Sequence, residues 1–375
     1  MNQPINILQC IRQGQVGGGE THLLSLMENI DRNKYNPVVL SFTEGPMVDA
    51  LRKMGIHTEV IYTEKPFDVS IWGKVAAFAK PYKFALIHAH GTRAASNLLW
   101  TAKRQHIPLV YTVHGWSFHK EQSPLVFNLR VMGERLITNL SSTNISVSKS
   151  NQESGQQEIS SFQSVVINNG IDQLKFNPAT VTSTVRQELN IPDNVTLIGF
   201  VARFTEHKQP LLLLRAFAKA IAQNTQLHLL MVGEGDQRQE GEALAKQLGI
   251  DTHITFSNFR SDVPQVLAAI DVYVLPSIWE GLPIGLLEAM AMAKAVIGTN
   301  VDGTREIIRH TQNGLLVQGA DISTSLAESI CQLAAQPQLR DALGQQARAD
   351  IIHDFSAAEM TRQIEQVYQS LISKN

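Results

Sequence analysis

Short apolar runs alternate along the chain with longer segments in which apolar residues recur every three or four positions. INILQCI (residues 5–11) is a run of the first kind and predicts a buried strand. ETHLLSLMENI (20–30) is of the second kind, since Leu23, Leu26 and Ile30 fall on one face of a helix. Strands that alternate with helices in this way are typical of parallel βαβ units. The pattern therefore predicts an α/β fold with parallel sheets.

This alternation runs through the chain twice. Between the two halves, residues 173–194 are polar and lack regular apolar positions, which predicts a linker. We therefore predict two Rossmann-like, doubly wound domains, one over residues 1–172 and one over residues 173–355. A last helical pattern at 356–375 fits packing on either domain, because periodicity alone does not identify the partner of a helix. The predicted strands are INILQCI, PVVLSF, HTEVIY, ALIHAH, LVYTVH, TNISVS and SVVINNG in the first half, and TLIGFVAR, LHLLMVG, HITFSN, DVYVLPS and KAVIGTN in the second.

Length and composition narrow the class of protein. A chain of 375 residues is long for a single hydrophobic core, which agrees with two domains. The formal net charge is −2, so we expect no nucleic-acid partner. The only cysteines, Cys10 and Cys331, show no metal or disulfide spacing and favour a reducing cytoplasm. Without a signal-peptide pattern or an apolar run of about 18 residues, any membrane contact is expected to be peripheral, on the inner face of the membrane.

Polar residues that follow predicted strands are the first candidates for a ligand site, because open α/β sheets bind ligands beyond the C-terminal ends of their strands. Arg203 and Lys208 follow TLIGFVA. Arginine supplies a planar fork of donors and lysine a compact charge, so the pair is suited to clamp a diphosphate without a metal ion. The alternative is an ordinary solvated pair, but its place at the end of a strand favours an anion site.

Two glutamates bracket the start of the helix predicted in SIWEGLPIGLLEAM (277–290). Glu280 precedes the helix and Glu288 lies inside it, and their separation corresponds to about 12 Å of helix. At that distance the two carboxylates do not share one metal ion, but they suit the two ends of a long polyhydroxylated ligand such as a nucleotide-sugar. Pro283 is predicted at the first helical position, which leaves the backbone amides of Ile284 and Gly285 for a phosphate.

The first half carries its own candidates after predicted strands. GGGE (17–20) follows the first strand, and the amides of Gly17 and Gly18 can approach a ligand closely because glycine has no side chain. This loop does not match G-x-G-x-x-G, so it does not predict dinucleotide binding. His114 follows LVYTV, whereas nothing in the sequence separates His88 and His90, in IHAHG, from structural histidines.

The chain resembles the retaining family-4 glycosyltransferases with the GT-B fold. The resemblance rests on five motifs in this order: GGGE (17–20), TVHG (112–115), NNGID (168–172), ARFTEHK (202–208) and EGLPIGLLEAM (280–290). The resemblance covers nearly the whole chain. It implies two Rossmann-like domains facing a central cleft, the first on the acceptor side and the second binding the nucleotide-sugar. Ala202, Ala293, Ala295 and Asp302 depart from residues usual in the family, and these differences concern loop shape more than charge.

The resemblance also implies a role for each candidate residue. Arg203 and Lys208 would stabilise the departing diphosphate. Glu280 would bind donor-sugar hydroxyls, Glu288 the ribose, and His114 the sugar near the reacting carbon. Gly17 and Gly18 would approach the diphosphate or the acceptor, and Ile284 and Gly285 would bind phosphate through their amides. Because the chain has no Asp-x-Asp motif, no metal and no cofactor are expected.

The expected reaction moves a sugar, UDP-sugars being favoured, to a glycan or lipid-linked glycan in cell-surface polysaccharide synthesis. Two other functions stay open from the sequence: a nucleotide-sugar epimerase, which needs no acceptor, and a non-catalytic nucleotide-sugar sensor. An NAD-dependent oxidoreductase is disfavoured because neither GGGE (17–20) nor GEGDQR (233–238), where Arg238 replaces the third glycine, matches the fingerprint.

Overall fold

The chain folds into two α/β units, each with one parallel sheet. The computed structural model describes residues 3–15 and 17–373. The first domain comprises the residues up to Gly170 together with those from Ala357 onward, and the second domain runs from Ile171 to Ser356. The predicted fold class, two Rossmann-like domains, is confirmed.

The first domain contains a seven-stranded sheet in the order β3-β2-β1-β4-β5-β6-β7, with every neighbouring pair parallel. Its strands are β1 (Ile5–Ile11), β2 (Tyr35–Ser41), β3 (His57–Val60), β4 (Leu86–His90), β5 (Leu109–Val113), β6 (Thr143–Ser146) and β7 (Val165–Val166). Its first six helices are α1 (Gly18–Asn29), α2 (Pro46–Lys53), α3 (Val69–Ala79), α4 (Thr92–Gln105), α5 (Pro124–Leu140) and α6 (Lys149–Glu158), with a 3-10 helix at Lys80–Tyr82.

The second domain repeats this topology with six parallel strands in the order β10-β9-β8-β11-β12-β13. Its strands are β8 (Thr196–Val201), β9 (Leu227–Val232), β10 (Ile254–Ser257), β11 (Val272–Leu275), β12 (Ala295–Thr299) and β13 (Leu315–Val317). Its helices are α7 (Val185–Glu188), α8 (Pro210–Ile221), α9 (Arg238–Gln247), α10 (Val263–Ala269), α11 (Ile284–Ala291), α12 (Asp302–Ile307), α13 (Ile322–Ala335) and α14 (Pro337–Asp354), with 3-10 helices at Glu206–Lys208 and Asp251–His253.

The apolar runs form strands because both faces of each sheet are covered. All residues of β5, β9 and β12 are buried, as expected for a parallel sheet packed on both sides. The apolar pattern missed β13, which has only three residues, and it missed the one-turn helix α7 inside the predicted linker. Such short elements carry too few positions for a period to show.

The last helix, α15 (Ala357–Ile372), belongs to the first domain. Its buried residues Met360, Ile364 and Tyr368 recur every four positions and join the core around β1 and α1. Tyr368 also accepts a hydrogen bond from the Gln9 side chain over 2.9 Å. Among the described residues, the structure contains no helix that is long and apolar enough to cross a membrane.

Candidate active site

The candidates of the second domain lie where its strand order reverses. β8 and β11 are neighbours in the sheet, but their chain connections run to opposite sides, through β9 and β12. Such a switch point opens a crevice at the C-terminal ends of the two strands. Arg203 and Lys208 follow β8, and Glu280 follows β11. The topology therefore brings two loops that are far apart in sequence to one edge of the sheet.

Lys208 and Glu280 form an ion pair between Lys208 Nζ and Glu280 Oε1. Their side chains are 17% and 8% exposed, so the pair is largely removed from water. Ser277 Oγ donates a hydrogen bond to the same carboxylate oxygen over 2.6 Å. A largely buried charge is costly unless it is paired, so each member of this pair holds the other in place. The sequence nominated both residues, but it did not show that they touch.

The two loops are also tied together beside this pair. The Ile278 amide donates to the His207 carbonyl over 2.8 Å, and the His207 ring stacks on Trp279 with centroids 4.4 Å apart. Lys208 ends the 3-10 helix between these contacts. The position of the Lys208 ammonium is therefore fixed by the loop after β11 as well as by the loop after β8, to which Lys208 belongs.

Partly buried Arg203 stands in a loop braced by the turn after β9. The Phe204 amide donates to the Glu234 carbonyl over 2.8 Å. A Cβ on Gly233 would lie 2.1 Å from the Ala202 carbonyl oxygen, so only glycine permits this approach. The G-x-G after LHLLMV thus supports the loop that carries Arg203, as a tight turn.

Helix α11 begins one residue later than predicted. Pro283 is the N-cap, with extended backbone, and Ile284 is the first helical residue. The amides of Ile284 and Gly285 lie in the first turn, where backbone N–H groups have no acceptor within the helix. A Cβ on Gly285 would lie 2.8 Å from the Tyr273 hydroxyl oxygen, so glycine keeps this helix start close to β11.

Glu288 lies one turn further into α11 and is partly buried. Burial raises its pKa to about 7, and the positive charge of Lys175 acts in the opposite direction. Tyr273 is buried, and its pKa is raised first by burial and then by the charges of Glu288 and Glu280. Its phenol donates to the Val201 carbonyl over 3.2 Å. In the sequence Tyr273 looks like any strand residue, and nothing marked it as part of the site.

In the first domain, the glycine loop forms the start of α1. Gly17 is the N-cap and Gly18 the first helical residue. A Cβ on Gly18 would touch nothing within 4 Å, whereas one on Gly19 would lie 3.3 Å from Cδ2 of His114. The loop therefore lies against the His114 ring, and Gly19, which the sequence did not single out, makes the closest approach.

His114 belongs to a cluster of histidines. Its Nε2 lies 3.1 Å from Nδ1 of His90, and its ring centroid lies 4.7 Å from that of His22. Burial, followed by the proximity of His22 and His88, lowers the pKa of His114 well below its usual value. The imidazole is consequently neutral near pH 7, which makes it a hydrogen-bonding group there and not a charge.

Family models match both halves of the chain. The model described as Glycosyltransferase Family 4 matches residues 16–173, and the model described as Glycosyl transferases group 1 matches residues 181–350. The chain belongs to the family-4 glycosyltransferases. The match confirms the family that the motifs indicated, and this protein is a glycosyltransferase with the GT-B fold.

Similar proteins include other glycosyltransferases and a solved structure. The putative glycosyltransferase EpsD of Bacillus subtilis is 26% identical over 315 residues, which are 81% of this chain and 82% of that protein. The UDP-Gal:alpha-D-GlcNAc-diphosphoundecaprenol alpha-1,3-galactosyltransferase of Escherichia coli is 24% identical over 305 residues, 78% of this chain and 77% of that protein. The crystal structure of Anabaena Alr3699/HepE in complex with UDP-glucose has a TM-score of 0.84 and 25% identity, over 98% of this chain and 100% of that one.

The loop that carries Glu280 depends on Gly303, which lies in α12. Its amide donates to the Glu280 carbonyl over 3.2 Å, and an added Cβ would lie 2.2 Å from the Gly281 carbonyl oxygen. We expect Gly303→Ala to lower the free energy of unfolding by about 1–3 kcal/mol through overpacking, and to lower activity by displacing Glu280. Urea unfolding measures the first effect and turnover the second.

Gly241→Ala is the matched control for this substitution. Gly241 lies in α9, and its added Cβ would meet Leu214 Cδ1 at an ordinary 3.4 Å. We expect this variant to be as stable as the parent or more so by up to about 1 kcal/mol, since alanine favours a helix over glycine. A Gly303→Ala variant with parental stability and turnover would show that the close approach does not constrain the loop.

Proposed function

We propose that this glycosyltransferase moves a hexose from a UDP-sugar, with retention of anomeric configuration, to a glycan or lipid-linked glycan. The observation that carries the proposal is the Lys208–Glu280 pair at the switch point, with Arg203 on the same loop as Lys208. The pair places cationic groups suited to a diphosphate and a carboxylate suited to a sugar in one crevice. Anabaena HepE, similar over nearly its whole length, has been crystallised with UDP-glucose, which supports the choice of donor.

In this proposal the diphosphate is held without a metal ion. Arg203 and Lys208 supply charge-assisted hydrogen bonds, and the first-turn amides of Ile284 and Gly285 add backbone donors at the positive end of α11. Negative charge grows on the diphosphate as the bond to the sugar breaks. Donors that are fixed before the reaction stabilise that charge most in the transition state, and this lowers the barrier.

The two glutamates hold the two ends of the donor. Glu280 accepts hydrogen bonds from hydroxyls of the transferred sugar while its other contacts, Lys208 and Ser277, keep it in place. Glu288 accepts from the ribose hydroxyls. Because Glu280 precedes α11 and Glu288 lies inside it, one short helix sets the spacing between sugar and ribose.

Retention follows if attack and departure occur on the same face of the sugar. The acceptor oxygen forms its bond to the anomeric carbon as the bond from that carbon to the phosphate oxygen breaks. The acceptor proton passes to the departing phosphate oxygen, so no protein nucleophile is needed. We propose that His114 contacts the sugar as a neutral imidazole, and that Gly17 and Gly18 present their amides to the diphosphate or the acceptor.

A thermal-shift screen of nucleotide-sugars, followed by product analysis, tests this function. The true donor should raise the melting temperature, because ligand binding stabilises the folded state. Incubation with that donor should release UDP in the presence of EDTA. An epimerised donor with no released UDP would support the epimerase instead, and binding without any conversion would support a sensor.

We further propose that α5 brings the enzyme to the cytoplasmic face of a membrane that holds a lipid-linked acceptor. Four apolar side chains recur along one exposed side of α5, namely Leu125 (71% exposed), Leu129 (56%), Met132 (66%) and Leu136 (49%). An exposed apolar stripe of this length is typical of an interaction surface. The E. coli relative is named for an undecaprenol-linked acceptor, which supports such an acceptor here.

The charges of α5 favour an anionic surface. Its exposed charged residues are Arg130 and Arg135, whereas its one acidic residue, Glu134, is fully buried. Glu134 accepts hydrogen bonds from Thr92 and Tyr111 over 2.6 and 2.9 Å. Arg135 flanks the apolar stripe, whereas Arg130 lies further round the helix and donates to the Ser117 carbonyl over 2.6 Å. The exposed surface of α5 therefore has apolar residues and positive but no negative charge, a composition that suits the headgroup region of anionic bilayers.

Substituting both Leu129 and Met132 by serine should weaken binding to phosphatidylglycerol vesicles about tenfold or more, since burying such side chains contributes about 1.5–3 kcal/mol each. Vesicle sedimentation measures the effect, and phosphatidylcholine vesicles should bind more weakly. Leu174→Ser is the control, because Leu174 is 85% exposed but lies in the second domain. Unchanged binding of the double variant would contradict this surface, and a dimer abolished by the same substitutions would assign it to a second copy.

A further inference from the structure

Three histidines of the first domain, His22, His90 and His114, converge on one point. One ring nitrogen from each lies within 4.8 Å of the other two. His22 and His90 are buried, and His114 is partly exposed. They come from α1, from the end of β4 and from the residue after β5, so the sheet topology assembles the cluster.

The hydrogen bonds of His22 leave one nitrogen with a lone pair and no partner. Its Nδ1 lies 2.9 Å from Oδ1 of Asn169, which only accepts, so Nδ1 carries the proton. In the neutral ring the other nitrogen, Nε2, is then unprotonated. Within the described part of the chain, this buried Nε2 makes no hydrogen bond. A buried nitrogen in that state is unusual and is free to ligate a cation.

The hydrogen bonds of His90 likewise show which of its ring nitrogens carries a lone pair. Its Nε2 lies 3.0 Å from Oε1 of Gln9, whose amide nitrogen donates to Tyr368. The Gln9 oxygen accepts from His90, which leaves the lone pair on His90 Nδ1. That atom lies 3.1 Å from His114 Nε2, so His114 donates the proton they share. A change of tautomer that moves this proton to Nδ1 of His114 would expose a third lone pair, and the ring would stay neutral.

We propose that His22 Nε2, His90 Nδ1 and His114 Nε2 form a site for one divalent transition-metal ion of the class that prefers imidazole, with Zn²⁺ as its representative. Ligating histidines commonly donate their other N–H to a carbonyl, as His22 does to Asn169 and His90 to Gln9. Three protein nitrogens leave a fourth position for water, as in open zinc sites. Partly exposed His114 provides the side from which the ion enters.

The distances require a small adjustment. Tetrahedral Zn²⁺ with bonds of about 2.0–2.1 Å holds its nitrogen ligands about 3.4 Å apart. The His90–His114 pair, at 3.1 Å, is already near this value. All three ligand atoms lie within 4.8 Å of one another, so the remaining separations close with side-chain shifts of about 1 Å or somewhat more. The nearby positive charge of Arg12 is offset by buried Glu20, whose carboxylate lies 3.8 Å from its guanidinium.

This site does not rest on the proposed function. It shares only His114 with the residues proposed to bind the donor, and it has no role in holding the diphosphate. Its tests therefore measure metal binding directly, and their outcome is separate from any assay of sugar transfer.

The direct test is X-ray absorption spectroscopy on the EDTA-treated full chain after addition of one equivalent of Zn²⁺. We expect three imidazole nitrogens at about 2.0–2.1 Å. Titration with Co²⁺ should give the visible absorption of a tetrahedral ion, saturating at one ion per chain. One imidazole or none, or the spectrum of octahedral hydrated Co²⁺, would overturn the proposal.

Three variants locate the ion. His22→Phe should abolish tight Co²⁺ binding, and Asn169→Ala should weaken it about 10- to 100-fold by releasing the orientation of His22. His353→Gln, which removes an exposed histidine beside Asp354, should bind like the parent. Unfolding curves show whether each variant folds, and the spectroscopy on the unaltered chain decides the question if His22→Phe does not. Loss of the ion in His353→Gln alone would place it at the surface and overturn the proposal.

Discussion

Replacing either Arg203 or Lys208 with alanine is expected to lower the rate of sugar transfer about 100- to 1000-fold, with little change in the fold. Both residues follow β8 at the switch point of the second domain, where the proposed diphosphate departs. The loss is expected mainly in kcat, because the charge that these donors stabilise develops in the transition state. Steady-state kinetics with the donor found by thermal shift, and circular dichroism of each variant, measure the two quantities.

The Lys208 variant needs a second comparison because Lys208 also pairs with Glu280. Removing one member of a largely buried pair leaves the other charge uncompensated, so part of the effect belongs to Glu280. The double variant Lys208→Ala, Glu280→Gln should therefore lose less than the product of the two single losses. Arg215→Ala, which removes an exposed arginine on α8, is the control and should keep parental turnover. Near-normal turnover in both the Arg203 and Lys208 variants would refute their assignment to the leaving group.

Substitutions of the two glutamates should have different effects on UDP binding. Glu288→Gln is expected to weaken UDP binding about 10- to 100-fold, since a hydrogen bond to a charged group contributes about 1.5–3 kcal/mol. Glu280→Gln should bind UDP nearly as well as the parent, because UDP lacks the sugar that Glu280 contacts, but should transfer sugar slowly. Isothermal titration calorimetry with UDP measures the first effect. The reverse order, with UDP binding lost only in Glu280→Gln, would mean that the donor lies in the opposite direction along α11.

Glu288 also predicts a pH dependence of UDP binding. Burial raises its pKa to about 7, so near neutral pH a substantial fraction is protonated in the free enzyme. Ribose hydroxyls donate to the carboxylate, and binding therefore favours the ionised form and releases a proton. Affinity should rise with pH up to and through about 7 and then level off, whereas Glu288→Gln should show no such rise. Calorimetry in two buffers of different ionisation enthalpy detects the released proton. If UDP affinity rose equally with pH in the parent and in Glu288→Gln, the dependence would belong to another group.

The fold was predictable because its signals are local. Apolar runs and helical periods are read within about ten to fifteen residues, and they located twelve of the thirteen strands in the described part of the chain. The missing strand, β13, has three residues and lies at the edge of the sheet. The partner of α15 was not predictable, because its apolar stripe fits any apolar surface, and only the folded chain shows Met360, Ile364 and Tyr368 in the first-domain core.

The site residues that directly follow strands were predictable from the sequence. Arg203, Lys208, Glu280 and His114 all follow strands, which a linear sequence shows. Contacts between different loops are not visible there, so the pairing of Lys208 with Glu280 appeared only in the structure. Tyr273 and Gly303 were missed for the same reason. One reads as an ordinary strand residue and the other as a turn, although each approaches a candidate residue closely.

The central claim is that this enzyme transfers a sugar with retention and without a metal at the diphosphate. Its most direct test is time-resolved proton NMR of the sugar that the full chain releases from an α-linked UDP-sugar donor, to an acceptor or slowly to water, in excess EDTA. We expect the first-formed product to carry the α configuration, recognised by the small coupling of its anomeric proton, and to form at the same rate with and without EDTA. A β product at the earliest times would contradict the account. So would a reaction of the His22→Phe variant, which lacks one ligand of the proposed histidine site, that stops in EDTA and resumes with added divalent metal.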